Sequence, residues 1–191
     1  MNKTLKTLAA IAIVCSLGFA ITSCKSDDSD PSTDTTYAFK HTIGFPVEMT
    51  KLCDITLEHT GLDGKKTTTN ITDCPKTTIS VNDKKVELYV FTKVETTKKK
   101  PSETNLKITY TAKTITEFPI TVTTGFSEEM IVGIPVYNDW AAGTAKKTNT
   151  LITYGLQYKD QETVNKRVES LNSTRSNYKM KIDSHGTPSV T

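Results

Sequence analysis

Hydrophobic and polar residues alternate along much of the chain after residue 36, with the two-residue period of half-buried β-strands. The first such segment begins at Tyr37 and ends before Pro46. Its inward face is predicted to carry Tyr37, Phe39, His41, Ile43 and Phe45. Further strands are predicted at 53–57, 66–71, 77–81, 86–94, 106–112, 114–123, 130–137, 151–158 and 177–182. In the 86–94 segment, the residues predicted to face a core are Val86, Leu88, Val90 and Val94.

Turn and helix signals complete the fold prediction. Asp63-Gly64 is a hairpin turn pair, and residues 160–171 have the spacing of a short amphipathic helix that Asp160 could cap. The predicted fold is mainly β: an antiparallel immunoglobulin-like β-sandwich with one short C-terminal helix. A lipocalin-like up-and-down β-barrel is the alternative, because the number and length of the strands suit it equally.

The N-terminus has the pattern of a signal peptide. Lys3 and Lys6 precede an uncharged, mostly apolar run from residue 8 to residue 21. This run is shorter than the roughly 20 residues that a membrane-spanning helix needs, and acids rather than basic residues follow it. A retained transmembrane helix is therefore the weaker interpretation.

The residues at the end of this run resemble the lipobox of bacterial lipoproteins. Ile21, Thr22 and Ser23 precede Cys24, and the resemblance implies that Cys24 becomes a lipidated N-terminus after cleavage. An ordinary secretory signal with a chance cysteine is the alternative. Cys15 is a poor second candidate because a bulky valine precedes it. The expected organisation is a signal peptide at 1–23, a lipidated, acidic, disordered tether at 24–36 and a single β-rich domain at 37–191.

The acidic segment after the cysteine resembles the export signal of Bacteroidota surface lipoproteins. Residues 25–30 read KSDDSD, and the resemblance implies an outer-membrane lipoprotein that faces the cell exterior. A solvated acidic spacer is the alternative. Asp34-Thr35-Thr36 also resembles the O-glycosylation acceptor of that phylum, which would make Thr35 the modified residue.

The charge balance changes the expected partners. The chain has 24 basic and 21 acidic residues; residues 1–23 contain two lysines and no acid, so the mature chain carries +1. A nearly neutral chain gives no electrostatic basis for a nucleic-acid partner. The run Lys98 to Lys100 lies between two predicted strands and is interpreted as a solvated hairpin loop, with a contact to anionic polysaccharide or lipid headgroups as the alternative.

The two remaining cysteines, Cys53 and Cys74, are predicted to form a disulfide, as expected in an exported protein. A hairpin centred on Asp63-Gly64 would place them opposite each other, and closing this loop would contribute about 3 kcal/mol. Free buried thiols are the alternative. Neither cysteine has a second ligand at metal-binding spacing, so no metal and no cofactor are predicted.

Catalytic chemistry is thinly represented. His41 and His59 lie in predicted strands, and Asp183-Ser184-His185 has the letters of a triad without the separate segments that a triad needs. Glu128 and Glu129 are adjacent and give no support to a glycosidase site. The chain is therefore predicted not to be an enzyme.

Tyr137 and Trp140 are the best candidates for a ligand contact. They flank Asn138-Asp139 in a predicted loop, where aromatic rings could stack on a sugar or anchor a protein. The preferred interpretation of Trp140, however, is that it fills one end of the sandwich core. The expected function is a lipid-anchored, non-catalytic binding or structural module with an extracellular glycan or protein ligand; a lipocalin-like carrier of a small apolar ligand is the second hypothesis.

Overall fold

The computed structural model describes residues 35–174 and 176–191. The predicted signal peptide, Cys24 and the acidic segment through Asp34 lie outside the described residues. The strands are β1 (Tyr37–Pro46), β2 (Cys53–Thr60), β3 (Lys66–Asn70), β4 (Lys76–Val81), β5 (Lys84–Thr97), β6 (Ser102–Ala112), β7 (Ile120–Gly133), β8 (Pro135–Val136), β9 (Asp139–Trp140), β10 (Ala145–Tyr158), β11 (Asn177–Ile182) and β12 (Pro188–Val190). The helix α1 is Gln161–Thr174, and 3₁₀ turns lie at Val47–Lys51 and Ile71–Asp73.

The strands form two five-stranded antiparallel sheets. Sheet A has the order β10-β7-β1-β5-β4 and sheet B the order β12-β11-β6-β2-β3, while β8 and β9 form a separate small hairpin. The predicted mainly β antiparallel sandwich with one short helix is confirmed, and the described sheets are not closed into the alternative up-and-down barrel.

Strand β1 is the centre of sheet A and is buried along almost its whole length. Its odd-numbered residues point toward sheet B, as the alternating pattern predicts, and Phe45 meets Tyr110 of β6 edge to face at 5.9 Å. The predicted inward residues of β1 are all buried. The main core therefore fills the space between the two sheets with aromatic and aliphatic side chains.

A second, smaller core lies on the other face of sheet A. Val86, Leu88 and Val90 of β5 pack there with Ile152 and Tyr154 of β10. The Tyr154 hydroxyl lies 3.1 Å and 3.2 Å from the carbonyl oxygens of Val81 and Lys84. Sheet A therefore curls enough for a β10 side chain to reach the β4–β5 hairpin, which explains why apolar positions of β5 are buried on both faces.

Two strand predictions differ from the structure in the middle of the chain. The predicted strands at 114–123 and 130–137 are replaced by one long strand, β7, which begins only at Ile120. Gly125 within it has φ of +128°, and a Cβ there would clash with the carbonyl oxygen of Leu151. A glycine is required because the neighbouring strand β10 approaches so closely.

Helix α1 begins where the sequence predicts and extends three residues further. The Asp160 carboxylate accepts hydrogen bonds from the backbone N–H and hydroxyl of Thr163, at 2.8 and 2.6 Å. Val164, Val168 and Leu171 are buried. The four-three spacing thus identified the face that packs on the sandwich.

The predicted disulfide between Cys53 and Cys74 is absent, and both thiols are free. Strand β2 pairs with β3 in a register one residue shorter than predicted, which would oppose Cys53 to Asp73 rather than to Cys74. The pairing also ends at Asn70, because the chain turns into the 3₁₀ segment Ile71–Asp73. The sequence located the turn but could not show that the returning strand stops short of the cysteine.

Candidate functional site

The end of the sandwich at which β1 begins brings together two segments that the sequence singled out. Tyr37 pairs with Thr97, the last residue of β5, and Ala38 pairs with Gly133, the last residue of β7. The β5–β6 loop at 98–101 and the β7–β10 connection at 134–144 therefore lie at this end. We call Tyr37 with these two segments and the turn at 183–187 the entry end.

The β7–β10 connection contains the small hairpin β8–β9. Pro135 pairs with Trp140 and Val136 with Asp139, which leaves Tyr137 in the turn. The Tyr137 side chain is 93 % exposed and Val136 is 44 % exposed, whereas Trp140 is half-buried. The structure therefore brings both predicted contact residues into one hairpin.

Trp140 does not fill the end of the core. It is not among the residues of the three described hydrophobic clusters, and its backbone N–H donates to the Asp139 carboxylate at 2.8 Å. Ala141 closes the base of the hairpin by donating to the Ile134 carbonyl at 2.9 Å. The hairpin is an ordered surface element with an aromatic tip.

The lysine run forms the neighbouring loop of the entry end. Lys98, Lys99 and Lys100 are exposed, and the Lys100 ammonium lies 5.1 Å from the centre of the Tyr37 ring. The loop is held in shape by a hydrogen bond from the Ser102 hydroxyl to the Lys99 carbonyl at 2.7 Å. Three cationic side chains are thus presented by an ordered loop.

The segment Asp183-Ser184-His185, which has the letters of a triad, lies in a turn at the entry end. One Asp183 carboxylate oxygen accepts the backbone N–H groups of His185 and Thr187, at 2.9 and 2.8 Å. These hydrogen bonds, that of Thr187 first, hold the pKa of Asp183 below its usual value. Asp183 therefore organises the turn, and the structure brings no nucleophile to His185 among the contacts that it describes.

Two histidines are buried beneath the entry end. His41 Nε2 lies 2.9 Å from the Thr104 hydroxyl, and its ring meets the His59 ring edge to face at 5.3 Å. His59 Nε2 is 3.3 Å from a carboxylate oxygen of Glu95. The interior at this level is therefore polar rather than aliphatic.

Burial determines the protonation of this pair. Loss of hydration lowers the pKa of His41 to about 3, with a smaller contribution from His59. Burial also lowers the pKa of His59, which the Glu95 carboxylate opposes. The lowered pKa of each ring favours its neutral form, and both rings are closed off from solvent, as is typical of structural histidines.

The opposite end of the sandwich is built differently. We define the far end as Pro46, the turn Val47–Lys51, the segments 71–75 and 113–119, and the start of α1. These pieces are tied together by hydrogen bonds from the Lys113 N–H to the Leu52 carbonyl and from the Ile115 N–H to Gln161, both at 2.9 Å.

A cleft of about 430 Å³ opens beside β2 and β3 at the far end. Its wall is mostly hydroxyl, amide and carboxylate groups. The lining residues are Thr50, Cys53, Asp54, Ile55, Thr56, Asn70, Ile71, Thr72 and Thr111. Sequence reasoning missed this cleft because its residues come from four separate segments and carry no motif.

The cleft contains no activated nucleophile among its described residues. Burial raises the pKa of the Cys53 thiol to about 12, so that it stays protonated. The Asp54 carboxylate is 3.0 Å from the Lys113 ammonium. Such a cleft can offer hydrogen bonds to a polar ligand.

Protein-family models, curated proteins and solved structures give no match to the chain. Within residues 35–174 and 176–191, no group of three or more His, Cys, Asp or Glu side chains is arranged to hold a metal ion. None of the helices in this part of the chain is long and apolar enough to cross a membrane.

Proposed function

We propose that the protein is a lipid-anchored, cell-surface module that binds an extracellular ligand without catalysis. The anchor is proposed on Cys24 and its lipobox-like context, and outward display on the acidic residues that follow. The observation that carries the binding role is the packed interior, combined with side chains presented outward at both ends of the sandwich.

The packed interior favours this role over a lipocalin-like carrier. A carrier of an apolar ligand needs an apolar cavity of several hundred Å³. Here Phe39, Phe45, Met130 and Tyr178 belong to one buried cluster between the sheets. The described cleft lies beside β2 and β3 and is largely polar in its lining, so it suits a hydroxylated ligand such as a glycan.

The anchor is tested by labelling cells with a fatty acid that can be detected on protein. We expect Cys24→Ala to lose the label and the membrane association, because the thiol is the acyl acceptor. Cys15→Ala is the matched control, since this cysteine lies within the proposed signal peptide and should leave labelling intact. Label retained in Cys24→Ala would contradict the anchor.

Surface display is tested separately by protease treatment of intact cells. Replacing Asp27, Asp28 and Asp30 with alanine should leave the lipid in place and protect the protein from the protease. Equal digestion of the variant and the wild type would contradict the export-signal interpretation while leaving the anchor untouched.

Ligand binding at the cleft is tested with a glycan array and the variant Thr56→Val/Thr111→Val. Valine keeps the shape of threonine and removes its hydroxyl, so glycan binding should weaken while the fold is retained. Thr109→Val, which changes an exposed β6 residue that does not line the cleft, is the control. Equal binding by all three proteins would contradict a cleft site.

A further inference from the structure

We propose that the entry end docks on an anionic lipid surface, with the β8–β9 hairpin placed among the headgroups and the lysine loop 98–100 against their phosphates. This inference rests on the proposed anchor at Cys24. It assigns to Tyr137 and Val136 a lipid contact, and so deepens the proposed function by fixing which end faces the membrane.

The length of chain between the anchor and the domain supports this orientation. Twelve residues, 25–36, separate Cys24 from Tyr37, and this connection cannot reach beyond about 45 Å even when fully extended. The ten residues of β1 span about 34 Å. For the far end to face the lipid, the connection would have to run back along the sandwich and use most of its reach.

The apolar groups at the entry end suit the interfacial region of a membrane. Tyr137 is almost completely exposed at the tip of the hairpin, with Val136 beside it and Trp140 at the base. Tyrosine and tryptophan favour the headgroup level because their rings combine an apolar body with a polar group. In water, the exposed apolar surface of this tip is hydrated at a free-energy cost, and insertion into the headgroup region of the membrane removes that cost.

The charges at the entry end suit an anionic surface. Lys98, Lys99 and Lys100 are all exposed, and each lysine near an anionic membrane strengthens the attraction roughly fivefold. Within the segments that define the entry end, the acidic residues are Asp139 and Asp183, and one oxygen of each already accepts a backbone N–H group. Only about two strand spacings, roughly 10 Å, separate the hairpin from the lysine loop across sheet A.

The test uses Trp140, which is the chain's only tryptophan and lies in the hairpin itself. The lipidated full-length mature protein is reconstituted into phosphatidylcholine vesicles with and without phosphatidylglycerol. A fraction of the lipids is brominated near the headgroup end of the acyl chains, because bromine quenches tryptophan emission on contact. We expect quenching in the phosphatidylglycerol vesicles, weakened by high salt.

Two sets of variants separate docking from simple anchoring. Lys98→Gln/Lys99→Gln/Lys100→Gln should lower the ratio of docked to undocked protein about a hundredfold, as three lysines at roughly fivefold each imply. Val136→Ser/Tyr137→Ser should reduce quenching on the phosphatidylglycerol vesicles, because it removes the apolar groups that enter the headgroup region. The matched control is Lys51→Gln/Lys85→Gln/Lys159→Gln, which removes the same charge from exposed positions outside the entry end and should quench like the wild type.

Each outcome decides a separate question. Mass spectrometry first shows whether the protein carries acyl chains. If it does and brominated lipid leaves Trp140 unquenched, docking alone is overturned, and the hairpin is available to a soluble partner. Equal quenching in the loop variant and the wild type overturns the role of the lysines. A protein without acyl chains overturns the anchor, and the docking that rests on it falls as well.

Discussion

The entry end and the far end are built from the same strands but from different kinds of side chain. At the far end, Phe45 and Tyr110 meet in the interior and α1 packs over the sandwich. At the entry end, the interior contains His41 and His59, and the surface carries an exposed tyrosine. The far end therefore depends on apolar packing, whereas the entry end combines a titratable interior with a surface suited to a partner.

Two buried residues on the same face of one strand can therefore contribute to stability in different ways. His41 and Phe45 lie on the same face of β1, and both are at most 1 % exposed. One contributes stability that depends on pH, and the other contributes stability that does not.

The largest effect is expected at the far end. Phe45→Ala removes a buried aromatic ring from the far-end part of the main core and should lower the free energy of unfolding by about 3–5 kcal/mol. Urea denaturation of the purified protein measures this loss at pH 7. A change below about 1 kcal/mol would show that apolar packing does not dominate the far end.

The second effect is acid destabilisation at the entry end. His41 has a lower pKa in the folded state, about 3, than its ordinary 6.5, so the unfolded chain binds more protons between these values. The contribution of neutral His41 is complete above pH 6.5 and is lost as the pH falls toward 3. By pH 4.5 the loss from His41 amounts to a few kcal/mol, because each pH unit between the two pKa values contributes about 1.4 kcal/mol.

Urea midpoints measured between pH 7 and pH 4.5 check this dependence. His41→Gln should flatten the curve because it removes the titrating group, even if the variant is less stable at pH 7. His185→Gln, on the exposed 183–187 turn, is the control and should keep the slope of the wild type. Parallel curves for the wild type and His41→Gln would remove the proposed difference between the two ends.

The third effect concerns the helix cap at the far end. Asp160→Ala removes both hydrogen bonds to Thr163 and should cost about 1 kcal/mol of unfolding free energy. Asp160→Asn keeps an acceptor in place and should retain most of the stability. An alanine variant as stable as the wild type would mean that packing of α1 alone fixes its first turn.

The fourth effect is a near absence of change. Tyr137→Ser alters an almost fully exposed residue, so the free energy of unfolding should stay within about 0.5 kcal/mol of the wild type. The same variant should nevertheless weaken the contact of the hairpin with lipid. A large loss of stability would show that Tyr137 supports the fold and is not a contact residue.

The smallest effect is expected from reduction. Since Cys53 and Cys74 are free, a reducing agent should leave the stability unchanged, and the denatured, unreduced protein should show both thiols. A disulfide closing this loop would instead contribute about 3 kcal/mol and would leave neither thiol reactive. The thiol count therefore decides between the sequence prediction and the structure.

The alternation of apolar and polar residues determined most of the local structure. It identified the inward face of β1, and the spacing of Val164, Val168 and Leu171 identified the buried face of α1. These patterns are local consequences of strand and helix geometry, so a single sequence suffices to recognise them. The sandwich class followed because many short strands with turn signals need a second sheet to cover them.

Contacts between segments that are far apart in the sequence depend on the tertiary structure. The register of β2 and β3 keeps Cys53 from Cys74, and the curl of sheet A creates the second core around Leu88. The entry end joins Tyr137 to the lysine loop although about forty residues separate them in sequence. Such meetings depend on strand order and pairing, which are set by the free energy of the whole packed chain rather than by any local pattern.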